Sequence, residues 1–217
     1  MIPINRRLFH ASLLALLFST LWPLAGTADN LVEGRDWIPL ETPVKGDDSE
    51  TIEVLEFFSY GCPHCGQLNP LLKDWAAELP EDVSFRRVPV TFGRAAWANL
   101  ARLYYSLELD ELIDALDQAA FDAIGIERKR LFTDKAIFAW VEAQGQDAQA
   151  FEKTFNSFAV ELALGKGRDL EQRMAIDAVP RIIIDGRYVV LNEGVRDYSE
   201  LLQRADALIA RAREARP

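Results

Sequence analysis

The chain has two cysteines, Cys62 and Cys65, and they enclose Pro63 and His64. An apolar run that reads as a buried strand, Ile52 to Phe58, ends just before them, and a helical pattern begins at Pro63. Cysteines at i and i+3 in the first turn of a helix share a face and lie close enough to bridge. Cys62 falls at the helix N-terminus, where unpaired backbone donors and the positive end of the macrodipole favour a thiolate. Pro63 suits the first turn, because its missing donor has no intrahelical partner there. His64 adds a positive charge or a donor near the Cys62 sulfur. The expected result is an acidic, exposed and readily displaced Cys62, fit for thiol–disulfide exchange. Two other uses of the spacing are an inert structural bridge and half of a metal site. A bridge across one turn closes a very small loop and adds little stability. A metal would need further ligands, and no metal or cofactor is expected.

The elements that must hold this motif follow from the pattern on either side. Trp37, Ile38, Leu40 and Val44 with Pro39 and Pro43 suit an edge strand over 36–44. Lys45 to Asp48 is a turn, and Ile52–Phe58 is a central strand. A helix is predicted from Pro63 to Leu79, with Cys65, Leu68, Leu72 and Trp75 on one face and a kink at Pro70. Val83 to Val90 is the next strand, joined by a right-handed parallel crossover. From Arg94 to Ile176 apolar residues recur at helical spacing, including Trp97, Tyr104, Leu112, Ala115, Leu116, Ala119 and Trp140. Breaks are placed at Gly125, Gly145 and Gly165. Arg181–Asp185 and Tyr188–Leu191 read as a hairpin about Asp185-Gly186. Asp197–Arg216 reads as an amphipathic helix whose Arg211, Arg213 and Arg216 form a solvated end. The order is βαβ, a helical block, then ββα: an α/β fold with a helical domain inserted. The aromatic residues Trp75, Trp97, Trp140, Tyr104 and Tyr105 are read as core.

The 217 residues carry 49% hydrophobic and 27% charged residues, which excludes a disordered or polytopic membrane chain. A formal charge of -10 argues against nucleic-acid binding. Residues 1–28 read as an export signal. Arg6 and Arg7 precede the apolar run about Leu13–Phe18, Pro23 breaks it, and Gly26-Thr27-Ala28 offers small residues for cleavage. Export would place the cysteine pair under oxidising conditions, where it can work as a disulfide.

The segment Val54 to Cys65 resembles the thioredoxin superfamily, and within it the exported DsbA-type thiol oxidases, where Pro-His between the cysteines is typical. Val179-Pro180, followed by Arg181-Ile-Ile-Ile-Asp-Gly, resembles the superfamily's second hallmark, a Val–cis-Pro loop beside the cysteines; isomerases usually carry Thr there. Read from the residues alone, Pro180 is a trans proline opening a strand; the resemblance makes cis the preferred reading. The resemblance implies a thioredoxin-like fold over residues 29–92 and 177–217, with the inserted helical domain at 93–176. It implies an oxidase acting through a Cys62–Cys65 disulfide on reduced, unfolded exported proteins. Val179 and Pro180 would meet the substrate. It further implies a monomer in the periplasm, reoxidised by a DsbB-type quinone-linked inner-membrane oxidase.

Glu56 lies within the central strand, on the side of Val54 and Phe58. Read from the residue alone, an exposed strand glutamate and a buried acid are evenly matched; the resemblance matches it to a buried acid beside the second cysteine, a proton acceptor. Arg87 falls roughly where the family carries a lysine and cannot deprotonate. Gly66 replaces an aromatic residue found in some members. The rival readings are an isomerase or reductase, and a peptide-binding chaperone that needs neither cysteine. The lack of a dimerisation domain before Cys62 argues against a dimeric isomerase.

Overall fold

The computed structural model describes residues 31–44 and 50–216. The signal expected over residues 1–28 and the turn at 45–48 lie outside the described residues. Five strands form one sheet: β1 (Trp37–Pro39), β2 (Ile52–Phe58), β3 (Val83–Pro89), β4 (Arg181–Ile184) and β5 (Tyr188–Val190), in the order β1-β5-β4-β2-β3. β2 and β3 run parallel, Glu56 opposite Arg87, and the other pairs are antiparallel. The helix between β2 and β3, α1, spans Pro63–Ala77. After β3 come α2 (Ala95–Leu109), α3 (Ile113–Gly125), α4 (Asp134–Ala143), α5 (Ala148–Phe155) and α6 (Phe158–Arg173). α7 (Tyr198–Glu214) follows β5.

Side-chain alternation on β2 divides the core. Ile52 and Val54 join Leu68 and Leu72 of α1 and Leu201, Leu208 and Ile209 of α7. Leu55 and Phe57 face the other way, onto Val88, Ile183, Val189, Met174 and Ile176. The helical block has its own core, and Phe58, Tyr60, Cys62 and Cys65 are part of it. The cysteines therefore lie where the sheet, α1 and the helical block converge.

Several boundaries differ from the sequence reading. The first strand shrinks to Trp37–Pro39, because Pro39 and Pro43 cannot donate to a ladder. α1 runs through Pro70 and stops at Ala77, before Leu79-Pro80, where the following proline disfavours helix. Helices do end at Gly125 and before Gly145, but Gly165 breaks nothing: α6 continues past it, and further breaks fall at Glu111 (φ 57°) and before Ser157, which caps α6. On α3 the buried stripe is Leu116, Asp117, Ala120 and Phe121, rotated from the expected Leu112, Ala115 and Ala119. The Asp185-Gly186 turn forms with both residues at positive φ (54° and 58°), and Arg187 N donates to Ile184 O at 3.0 Å. A side chain at Gly186 would collide with the Val44 carbonyl. Nor are the arginines at and just beyond the end of α7 merely solvated. Arg211 stacks 4.7 Å over Trp37, Arg213 pairs with Asp82 at 2.6 Å, and Arg216 pairs with Asp185 at 2.7 Å.

Candidate active site

Cys62 is the N-cap of α1, in extended backbone (φ -102°, ψ 114°), with Pro63 as the first helical residue. No side chain caps this end and no acid lies in the first turn. Its unpaired N–H groups remain directed at the cysteine sulfur, the arrangement that favours an anion. Both cysteines are reduced in this structure. The Cys62 thiol is lowered from 9.0 to about 6. A hydrogen bond from the Cys65 thiol is the largest cause, and burial opposes it. The backbone amides of Cys65 and His64 add support, and the charge of His64 adds least. Cys65 moves the other way. Burial pushes its thiol far above the usual range, and the bond to Cys62 and the charge of Glu56 push it further.

The expected exposure of Cys62 is not found: the residue is only 7% exposed. Its thiol donates to the Val179 carbonyl at 3.4 Å, so the segment before Pro180 lies over the sulfur. The Val179–Pro180 bond is cis, as the resemblance implied. Asn192 steadies this segment, its Nδ2 donating to the Pro180 carbonyl at 2.8 Å. His64 is exposed, and its Nδ1 lies 3.2 Å from the Tyr198 hydroxyl, which donates to Gln67 Oε1 at 3.3 Å. The imidazole is thus held towards α7, which agrees with its minor effect on Cys62.

Glu56 is fully buried, and the exposed-strand alternative falls away. It accepts from Arg87 Nε at 2.6 Å. Arg87 Nη1 donates to Asp117 on α3 at 2.9 Å, and the guanidinium stacks 4.0 Å over Phe58. Asp117 also accepts from the Tyr60 hydroxyl and from Asn69 Nδ2, each at 2.8 Å. Glu56 Oε1 has no hydrogen-bond partner. Burial raises the Glu56 carboxyl above the usual range; the charge and hydrogen bond of Arg87 oppose this without cancelling it, and Asp117 adds to the rise. Burial alone would lower Arg87, but Glu56 and Asp117 outweigh it and hold the guanidinium charged.

The structure brings Cys62, Cys65, Pro63, Glu56, Val179 and Pro180 together and sets His64 at the exposed edge. Sequence reasoning missed Asp117, Asn69, Tyr60, Tyr198 and Asn192. Asp117 left one signal: it lies at helical spacing from Ile113, Ala120 and Phe121, an acid within an apolar stripe. Among the described residues no group of three or more His, Cys, Asp or Glu could hold a metal ion.

A strand–Cys-x-x-Cys–helix motif in a mixed sheet with a cis-proline loop against the first cysteine defines the thioredoxin-like class of thiol–disulfide proteins. Within it the chain belongs to the DSBA-like thioredoxin domain family, whose model matches residues 53–203. It is 36% identical over 201 residues to the thiol:disulfide interchange protein DsbA of Bordetella parapertussis, covering 92% of this chain and 94% of that one. It is 32% identical over 210 residues to the protein of the same description from Pseudomonas aeruginosa strain PAO1, covering 97% and 98%. The crystal structure of Pseudomonas aeruginosa DsbA superposes with a TM-score of 0.82 at 32% identity, covering 87% of this chain and 97% of that one.

Proposed function

We propose that Cys62 and Cys65 form the redox disulfide of a thiol:disulfide oxidase that introduces disulfide bonds into folding exported proteins. The opposite displacement of the two thiols carries this reading: Cys62 drawn to about 6, Cys65 pushed far up. A substrate thiolate attacks Cys62 Sγ. The Cys62–Cys65 bond breaks, its electron pair leaves on Cys65, and that sulfur takes up a proton. Glu56, buried nearby with a raised carboxyl, exchanges that proton, while Arg87 holds the carboxylate in place. A second substrate thiolate then attacks the substrate sulfur of the mixed disulfide. The substrate leaves oxidised and Cys62 leaves as a thiolate, a good leaving group because its pKa is low. Val179 and Pro180 flank the sulfur and offer backbone groups to an extended substrate strand.

We read residues 93–176 as a helical domain inserted into a thioredoxin-like unit over 29–92 and 177–217. The signal pattern supports export to the periplasm. The likeness to DsbA-type proteins supports reoxidation by a quinone-linked membrane oxidase of the DsbB type, and action as a monomer. No helix among the described residues is long and apolar enough to cross a membrane.

The test compares the stability of the two redox forms. The depressed Cys62 value exists only in the reduced, folded protein. Its stabilisation is fully present above the unfolded value near 9 and is lost as pH falls through about 6. At pH 7, allowing for solvent screening, it is on the order of 1 kcal/mol. Cys65 stays protonated in both states at that pH and adds nothing. The reduced form should melt roughly 2–4 °C above the oxidised form from this contribution alone. An oxidised form that melts higher would overturn the oxidase reading in favour of a reductase. Cys62→Ser should abolish oxidation of a reduced peptide; activity that survives the change would favour the chaperone.

A further inference from the structure

The flanks of α1 differ on either side of Cys62. His64 closes one flank against Tyr198 of α7, whose hydroxyl also donates to Gln67 Oε1. On the other flank, towards α3, Cys62, Pro63 and Gly66 form one wall of a cleft of about 510 Å³, and Phe121, Ile126 and Phe132 face them. Gly66 keeps the cleft open at the cysteine: a Cβ there would lie 3.2 Å from Phe121 Cδ1. Ile126, 74% exposed, is among the largest apolar surfaces left to solvent. Arg128 stands at the same mouth. The acids beside it are engaged, Asp122 with Gln118 at 2.8 Å and Glu127 with Lys129 at 2.7 Å, whereas Arg128 forms no ion pair among the described residues.

We infer that this cleft is a specificity pocket for the polypeptide joined to Cys62: it takes an apolar, best an aromatic, side chain next to the substrate cysteine, with an acidic residue beyond it meeting Arg128. The inference rests on the oxidase reading, since the occupant is the thiol substrate itself. Its position follows from continuity. Cys62 is part of the pocket wall, so a chain bonded to its sulfur lies against the same cleft that Phe121 and Ile126 line. Apolar walls contribute by excluding water from the side chain. Arg128, at the cleft mouth and without an ion pair among the described residues, supplies the charge that selects the neighbouring residue.

The experiment uses the oxidised full-length protein and two reduced peptides with a single cysteine, one reading Glu-Phe-Cys-Gly and the other Gln-Ser-Cys-Gly. Each rate of mixed-disulfide formation is divided by that peptide's rate with oxidised glutathione in solution, which removes differences in thiol reactivity. The wild-type protein should favour the first peptide by ~10-fold or more, the scale at which apolar pockets discriminate. Ile126→Asp should bring the ratio to within about twofold, and Arg128→Glu should lower it for Glu-Phe-Cys-Gly but not for Gln-Phe-Cys-Gly. Phe158→Asp, at an equally exposed apolar position on α6, should keep the wild-type ratio. Equal rates for both peptides, or a preference that survives Ile126→Asp, overturns the pocket and leaves the oxidase reading standing. Failure to react with either peptide overturns the oxidase reading, and the pocket with it.

Discussion

Leu55 and Phe57 point from β2 into a wholly apolar layer, whereas Val54, Glu56 and Phe58, alternate residues of the same strand, share their face with a buried guanidinium and a second carboxylate. The apolar face follows the ordinary rule that burial stabilises by removing surface from water. The charged face does not. Two carboxylates and one guanidinium have been taken out of water, and one oxygen and one nitrogen of the group have no hydrogen-bond partner. Ion clusters of this kind rarely add net stability. Their place beneath Cys65 gives them a different use: the Glu56 charge raises the buried thiol, and Arg87 keeps Glu56 from being an isolated buried charge.

The largest expected effect tests that division. Arg87→Met leaves Glu56 and Asp117 facing each other without a cation and should cost about 3–5 kcal/mol in urea unfolding. Adding Glu56→Leu and Asp117→Asn to the same variant should restore most of that stability while slowing thiol exchange. A triple variant as unstable as Arg87→Met would show the charged face to be structural after all. On the opposite face, Leu55→Ala should cost about 2–5 kcal/mol and leave the redox equilibrium with glutathione unchanged. A shift in that equilibrium would mean the two faces are coupled.

A smaller effect lies in the pH dependence. Glu56 has a folded value raised above 4.5, so its contribution to stability is fully present below the unfolded value and is lost as pH rises through the folded one. The unfolding free energy of the wild type relative to Glu56→Gln should therefore fall as pH rises from about 4.5. A flat difference would place the carboxyl in an ordinary environment. The smallest effect separates the supports of Cys62. Cys65→Ala should raise the Cys62 value further than His64→Ala, as followed by thiolate absorbance against pH, because the Cys65 hydrogen bond is the largest cause and the His64 charge the least. The reverse order would restore His64 to the leading role its position in the sequence gives it.

The motif and the strand that delivers it were legible because both depend on short-range pattern. A seven-residue strand with five apolar residues, a Cys-Pro-His-Cys start and a hairpin at Asp185-Gly186 each announce themselves locally. The electrostatics were less so. Arg87 falls opposite Glu56 once β2 and β3 pair in parallel, and its position allowed it to be singled out from the chain. Asp117 reaches the same cluster only through the packing of α3 against α1, which periodicity does not specify. The burial of Cys62 was hidden for the same reason: the carbonyl that covers it belongs to Val179, at the far end of the chain. Gly165 misled because glycine inside a helix looks like punctuation until its surroundings are known.

The pairing of β2 with β4 has a kinetic side. Val54–Phe57 bond to β4 residues that follow the entire helical block, while the parallel partner β3 arrives after a single helix. A chain that emerges from its N-terminus completes β2, α1 and β3 first, with one edge of β2 unpaired until β4 and β5 appear. Closing so long a loop slows the final step of folding more than it weakens the finished fold. Until then no Val179 carbonyl covers Cys62, and the sulfur of the nascent chain stands open to any thiol or disulfide it meets. A chain competent to exchange thiols before it is competent to choose among them depends on the speed with which its last two strands dock.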